Sequence, residues 1–267
     1  MRILFLGDVV GPPGCNAIKK NLKNQIELNK IDFVIVNGEN AADTGVGITK
    51  KISDDFYECG VDVITTGNHV WDQKETIEFI DKENRLLRPF NLTDPSPGKG
   101  FEIFKSKNGF RIAVLNLMGN VFMKKCENVF KISEDFISKN KLKKDFDFLV
   151  VDFHGEITSE KMAIGHLFDG KASLVIGTHT HVPTNDARIL TFGTAYQTDA
   201  GMCGDYNSVI GMNKENSLNK FLKKDNQKHF PSGGNASLAG VIINCDKNTG
   251  LAKDIKSFIF GGDLKNT

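Results

Sequence analysis

Residues Val175–His181 read V-I-G-T-H-T-H. An apolar run, Leu174 to Ile176, ends at Gly177, and His179 and His181 follow at alternate positions. In extended backbone, side chains at i and i+2 point to the same side, so both imidazoles are expected to reach one point in space. Neutral imidazole is the commonest metal ligand among side chains. Two of them just beyond a buried strand read as half of a metal site. H-x-H alone is a common loop feature, so the other half has to be found upstream.

The upstream chain repeats one pattern. Ile3–Leu6 is a short apolar run that ends in Gly7-Asp8, and Gly11-Pro12-Pro13-Gly14 then reads as a loop. Ile18, Leu22 and Ile26 recur at helical spacing, which predicts a helix over Asn16–Ile31. Phe33–Val36 is a second strand, ending in Gly38-Glu39-Asn40, with a helix over Thr49–Cys59 behind it. Val61–Thr65 is a third, ending in Gly67-Asn68-His69, with a helix over Gln73–Lys82. Three strand–loop–helix units in succession predict a parallel sheet.

The remainder is mixed. A Pro/Gly-rich loop, Asn91–Gly100, precedes a hairpin of Phe101–Lys105 and Arg111–Leu117 around Lys107-Asn108-Gly109. A helix over Ser133–Lys143, a strand over Phe146–Phe153 ending at His154, and a helix over Ser159–Phe168 lead back to the histidine pair. Beyond it come a strand over Ala187–Phe192, a loop over Gly193–Asn207, a helix over Glu215–Lys223, and strands over Ser237–Cys245 and Ile255–Phe260. With no internal repeat or linker-like stretch, residues 1–267 are expected to form one domain.

Every candidate ligand therefore follows a strand: Asp8, then Glu39 and Asn40, then Asn68 and His69, then His154, then His179 and His181. Ligands of open α/β sheets bind beyond the carboxyl ends of the strands, so groups from five strand ends can converge. Each has an ordinary explanation alone, such as a turn for Asp8 or a core histidine for His154; together they are hard to explain that way. The donors are oxygen and nitrogen without thiolate, which suits first-row transition metals and disfavours structural zinc or calcium sites. So many donors exceed what one catalytic ion with an open position needs. They suit a pair, which at about 3.5–4 Å apart can clamp the attacking and leaving oxygens of an in-line displacement at phosphorus.

Composition narrows the alternatives. The chain of 267 residues is 40% hydrophobic and 25% charged with a formal net charge of +1, which offers no bulk attraction to nucleic acid or anionic membrane. The lysines at 141, 143 and 144 and at 223, 224 and 228 read as solvated helix faces. No apolar run approaches the ~18 residues of a membrane span, and the apolar start breaks at Gly7-Asp8, so a cytoplasmic protein is expected. The five cysteines are scattered without C-x-x-C spacing and read as reduced, packed thiols, Cys203 included. His166 and His229 fall outside the strand-end pattern and read as structural or surface residues.

Gly7-Asp8, Gly67-Asn68-His69, the lone His154 and Gly177–His181, in that order, resemble the calcineurin-like metallophosphoesterases. That superfamily opens with D-x-H, whereas Asp8-Val9-Val10 has no histidine, and its second motif is G-D, whereas this chain has Gly38-Glu39-Asn40. Those departures, with Gln197-Thr198-Asp199 and Gly201–Ser208, resemble a narrower branch, the YmdB-like 2′,3′-cyclic-nucleotide phosphodiesterases. The resemblance implies a four-layer α/β/β/α sandwich with two central mixed sheets. It implies two metal ions, iron or manganese first and zinc admissible, with Asp8, Glu39, Asn40 and His181 on one and Glu39, Asn68, His154 and His179 on the other. Asn40 would replace the missing histidine of D-x-H. His69 would be the proton donor, and Asp72 would either orient it or cap a helix.

The implied reaction is attack of a metal-activated hydroxide on a cyclic diester while His69 protonates the departing ribose oxygen. A small nucleotide or cyclic nucleotide is then the expected substrate. Two alternatives stand beside it: a phosphomonoesterase or phosphoprotein phosphatase on the same scaffold, and a metal-stabilised regulatory protein acting with an RNA-processing partner. A homo-oligomer is the default for a soluble enzyme, and the Gly201–Ser208 loop would shape either the nucleotide pocket or a subunit contact.

Overall fold

A computed structural model describes residues 1–93, 95–224 and 228–267, so Asp94 of the Asn91–Gly100 loop lies outside the described residues. The first half runs β1 (Arg2–Leu6), β2 (Asp8–Val9), α1 (Gly11–Asn29), β3 (Phe33–Asn37), α2 (Lys50–Glu58), β4 (Val63–Thr65), α3 (Thr76–Phe79) and β5 (Leu86–Leu87). The second half begins with the hairpin β6 (Phe101–Lys105) and β7 (Arg111–Met118), then α4 (Val129–Lys139), β8 (Phe148–His154), α5 (Thr158–Leu167) and β9 (Leu174–Thr178). It ends with β10 (Arg188–Ile189), β11 (Ala195–Gln197), β12 (Met202–Asp205), α6 (Lys214–Phe221), β13 (Ala236–Cys245) and β14 (Ala252–Phe260).

These strands make two mixed sheets. In the first, β1, β3, β4 and β5 are parallel neighbours in that order, and β13 closes on β1 antiparallel with β14 and β12 beside it. In the second, β7, β8, β9 and β11 are parallel, flanked by antiparallel β6 and β10. Side-chain alternation along each strand then fills three separate cores. Ile3, Phe5, Phe33 and Ile35 meet Ile112, Val114, Phe148 and Ile176 between the sheets. Leu4, Leu6, Val34 and Val36 pack on Ile18 and Leu22 of α1 and Phe56 of α2. Leu115, Val151 and Val175 pack on Phe136 of α4 and Ile164 of α5. The result is the four-layer α/β/β/α sandwich, and burial on both faces explains why its strands read as unbroken apolar runs.

Several expected boundaries are corrected. Helix α1 begins at Gly11, not Asn16, because Pro12 and Pro13 occupy its first turn, where a missing N–H costs nothing. Helix α4 starts at Val129, not Ser133, because the Asn128 side chain accepts from the Lys131 N–H as an N-cap. The helix expected over Gln73–Lys82 shrinks to α3 and a 3-10 turn at Ile80–Lys82, and Gln73 spends its side-chain amide on Val46 O and Thr44. The strand expected over Ala187–Phe192 is only β10. The largest correction concerns Gly193–Asn207, which is not a loop but holds β11 and β12. Both strands are buried throughout and too short to show a period, so no sequence pattern marked them. Among the described residues, no helix is long and apolar enough to cross a membrane.

Candidate metal centre

Parallel strands carry their carboxyl ends to one edge, and there the two sheets meet. Asp8 follows β1, Glu39 and Asn40 follow β3, Asn68 follows β4, His154 ends β8, and His179 and His181 follow β9. His154 Nε2 lies 2.9 Å from Glu39 Oε1, 3.0 Å from Asn68 Oδ1 and 3.1 Å from His179 Nδ1. His181 Nε2 lies 3.3 Å from Asn40 Oδ1 and 3.9 Å from Asp8 Oδ1. The His179 N–H donates to Asp8 Oδ2 at 3.1 Å and joins the two halves. All seven groups are thus brought together. Gly67 sits against this cluster: a Cβ there would fall 2.2 Å from His154 Cδ2 and 2.3 Å from Glu39 Oε2. His166 and His229 are exposed and take no part.

The histidine pair converges for a different reason from the one its spacing suggests. Strand β9 ends at Thr178, and His179 and His181 have φ of 101° and 65°, which is not extended backbone. The two rings therefore face different halves of the cluster. Positive φ is uncommon and costly outside glycine, and a buried ion pair holds it in place. Asp199 Oδ2 accepts from the Thr180 N–H at 3.2 Å and the Thr180 hydroxyl at 2.8 Å, and lies 2.6 Å from Lys161 Nζ. Lys161 also donates to the Thr178 carbonyl at 2.9 Å. Both partners are 1% exposed. Sequence reasoning missed this pair: its partners lie 38 residues apart, and the Gln197-Thr198-Asp199 motif does not show that Asp199 meets Lys161.

Hydrogen bonds on the outer side of each ring fix which nitrogen faces inward. The Thr178 hydroxyl donates to Asp152 Oδ1 at 2.7 Å, so at 2.9 Å from His154 Nδ1 it accepts, which turns Nε2 inward toward Glu39. His181 Nδ1 donates to the Ile210 carbonyl at 2.8 Å, again turning Nε2 inward. His179 is reversed: Nε2 lies 3.2 Å from Glu156 Oε2, and Nδ1 turns inward. Outer partners of this kind orient metal-ligating histidines. The cluster interior thus collects ring nitrogens, carboxylate oxygens and amide oxygens, and Asp8 Oδ1 is buried with no hydrogen-bond partner. Glu39, His154 and His179 offer ligand atoms all within 4.8 Å of one another. Such a donor set fits cations.

Burial and mutual charge set the ionisation of the cluster. Burial works against a charge on His154, but Glu39 and Asp8 outweigh it and hold the ring up at about 9. Burial would likewise raise Glu39, but His154 wins and brings it down to about 2. Burial and the His154 charge push His179 down to about 3, which keeps its ring neutral. Burial raises the Asp8 carboxyl. It also pushes Asp152 up to about 6, against hydrogen bonds from Thr65 and Thr178.

His69 stands at the mouth. Its Nδ1 lies 2.7 Å from Asp72 Oδ2, and its ring is 29% exposed. The two roles left open for Asp72 separate here, because α3 begins four residues later with Glu75 before it, and Asp72 contacts His69 and Lys124 instead. Glu39, His69, Glu156 and His179 line a pocket of about 310 Å³ whose other rim is Val46, Ile210 and Met212. A larger cavity of about 740 Å³ lies between α1 and the Phe230–Ala236 segment and contains none of these groups, so the chemistry belongs to the smaller one.

The family described as YmdB-like protein matches residues 4–258. A 2′,3′-cyclic-nucleotide 2′-phosphodiesterase of Bacillus subtilis (strain 168) is 42% identical over 263 residues, covering 98% of each chain. A solved structure of a hypothetical protein from Thermus thermophilus superposes with a TM-score of 0.90 at 37% identity, covering 98% of this chain and 100% of the other. Another, described as a novel phosphatase from Mycoplasma pneumoniae, gives 0.91 at 38% identity, covering 98% and 94%. The chain belongs to the YmdB-like protein family.

Proposed function

We propose that this chain is a metal-dependent phosphodiesterase that opens 2′,3′-cyclic nucleotides to phosphomonoesters. The observation that carries the proposal is the convergence of inward-facing oxygen and nitrogen donors beside a partly exposed histidine that is not one of them. Asp8, Asn40 and His181 would hold one transition metal ion and Asn68, His154 and His179 a second, with Glu39 between them. When bound, such ions supply an acidified water and positive charge toward the phosphoryl oxygens.

The chain's own residues do the rest. Asp72 takes the Nδ1 side of His69, so the proton His69 can give sits on Nε2. That proton goes to the ribose oxygen as the P–O2′ bond breaks and a water oxygen bonds to phosphorus, giving a 3′-phosphomonoester by net addition of one water. Cleavage at O2′ follows the activity carried in the name of the Bacillus relative. The test is a panel of 2′,3′-cyclic nucleotides, mononucleotides and phosphopeptides with added Mn²⁺. Fastest turnover is expected on the cyclic diesters; faster turnover on monoesters would replace this reading with a phosphatase.

A further inference from the structure

The turn at Val209–Met212 sets its shape against its sequence. Val209 and Met212 exchange backbone hydrogen bonds of 3.0 and 2.9 Å across two residues, Ile210 and Gly211, with φ of 49° and 91°. Two successive positive φ values are the pattern of a two-residue turn that Asn, Asp and Gly fill without strain. Gly211 obeys this rule. Ile210, a β-branched residue, is a true outlier at positive φ.

Two ordinary reasons for an isoleucine fail. It is not core packing, because Ile210 is 53% exposed. Nor is it the contact to His181, which uses the backbone carbonyl that any residue would supply. What the side chain does is line the pocket beside the candidate metal centre, with Val46 and Met212. A strained residue at a site's rim is a pointer to function.

We infer that Ile210, Met212 and Val46 form an apolar shelf for the nucleobase of the substrate, with Ile210 a specificity-determining residue. This rests on the cyclic-nucleotide reading above and adds to it. These three side chains carry no amide, guanidinium or hydroxyl. The pocket's Asn40 amide and Thr180 hydroxyl already donate to the Gly45 carbonyl and Asp199, so the shelf touches the face of a base and does not read its edge. All four bases are therefore accepted, and a substrate without a base is penalised. Apolar contacts discriminate by modest factors, so the preference for a nucleoside over a bare sugar is about tenfold in kcat/KM.

The experiment compares adenosine 2′,3′-cyclic phosphate with the 2′,3′-cyclic phosphate of 1-O-methylribose on metal-loaded wild type and Ile210→Asn. Asparagine suits the turn and keeps the carbonyl, and an unreduced Tm checks that the variant folds. The nucleoside-over-sugar ratio is expected to collapse in the variant, mainly through KM for the nucleotide. An unchanged ratio would overturn the shelf, whether or not both substrates slow together. Calorimetric binding of 3′-AMP against ribose 3-phosphate separates the two levels of the argument. Wild type that turns over neither diester sinks the phosphodiesterase reading. Wild type that binds 3′-AMP no tighter than ribose 3-phosphate sinks the shelf.

Discussion

His154 and the His179–His181 pair reach the same cluster by opposite means. His154 is the last residue of β8, fully buried, with its strand in register with β7 and β9 on either side. Regular backbone delivers it. The pair lies beyond the end of β9 on backbone of positive φ, held by the Lys161–Asp199 ion pair reaching in from α5 and from just after β11. One histidine is placed by the sheet and two by a long-range tie, so the two sides should fail differently.

The largest difference is expected from Asp199→Ala. Leaving Lys161 buried without its partner should cost about 3–5 kcal/mol, read by urea unfolding, and should weaken metal binding in both halves of the centre, since His181 serves one and His179 the other. A loss below about 1 kcal/mol would break the comparison, because the positive-φ loop would then be holding itself. His69→Ala tests the mouth separately: kcat should fall by roughly 10²–10⁴ with bound metal unchanged by elemental analysis. Metal lost along with activity would make His69 a ligand.

What the sequence discloses follows the same division. Asp8, Glu39, Asn68 and His154 were legible because each stands directly after an apolar run, and strand ends are where α/β sheets bind ligands. The fold was legible for the same reason, one strand–helix unit at a time. Lys161, Asp199 and Glu156 were not, since each acts on a histidine loop across distances that no local period encodes. The positive φ of His179 and His181 was likewise hidden, because H-x-H reads as extended backbone until the residues that bend it are in view. The strands β11 and β12 were obscured by glycine, aspartate and small residues that ordinarily mark loops.

The outer partners of the rings sharpen the comparison at smaller amplitude. Thr178→Val removes the buried hydroxyl that fixes the His154 ring and leaves Asp152 without one of its donors. Metal affinity should fall about 10–100-fold, measured by competition with a chelator. Glu156→Gln touches His179 from a carboxylate 47% exposed to solvent, where water can replace it, so less than about a tenfold loss is expected. Equal losses in the two variants would mean that burial of the outer partner is irrelevant.

The last effect is a change of slope, and it has opposite signs on the two sides. In metal-free protein His154 is raised from the ordinary 6.5 to about 9, so between those values the folded chain holds a proton that the unfolded chain has lost. Stability from this ring is complete below 6.5 and falls as pH rises through about 9. His179 is lowered from 6.5 to about 3, so between those values the unfolded chain holds the extra proton, and stability falls as pH drops. Each slope is at most about 1.4 kcal/mol per pH unit. His154→Gln should therefore flatten the alkaline limb of the stability profile after chelation, and His179→Gln the acid limb. If His154→Gln leaves the alkaline limb as steep as in wild type, His154 does not hold that extra proton.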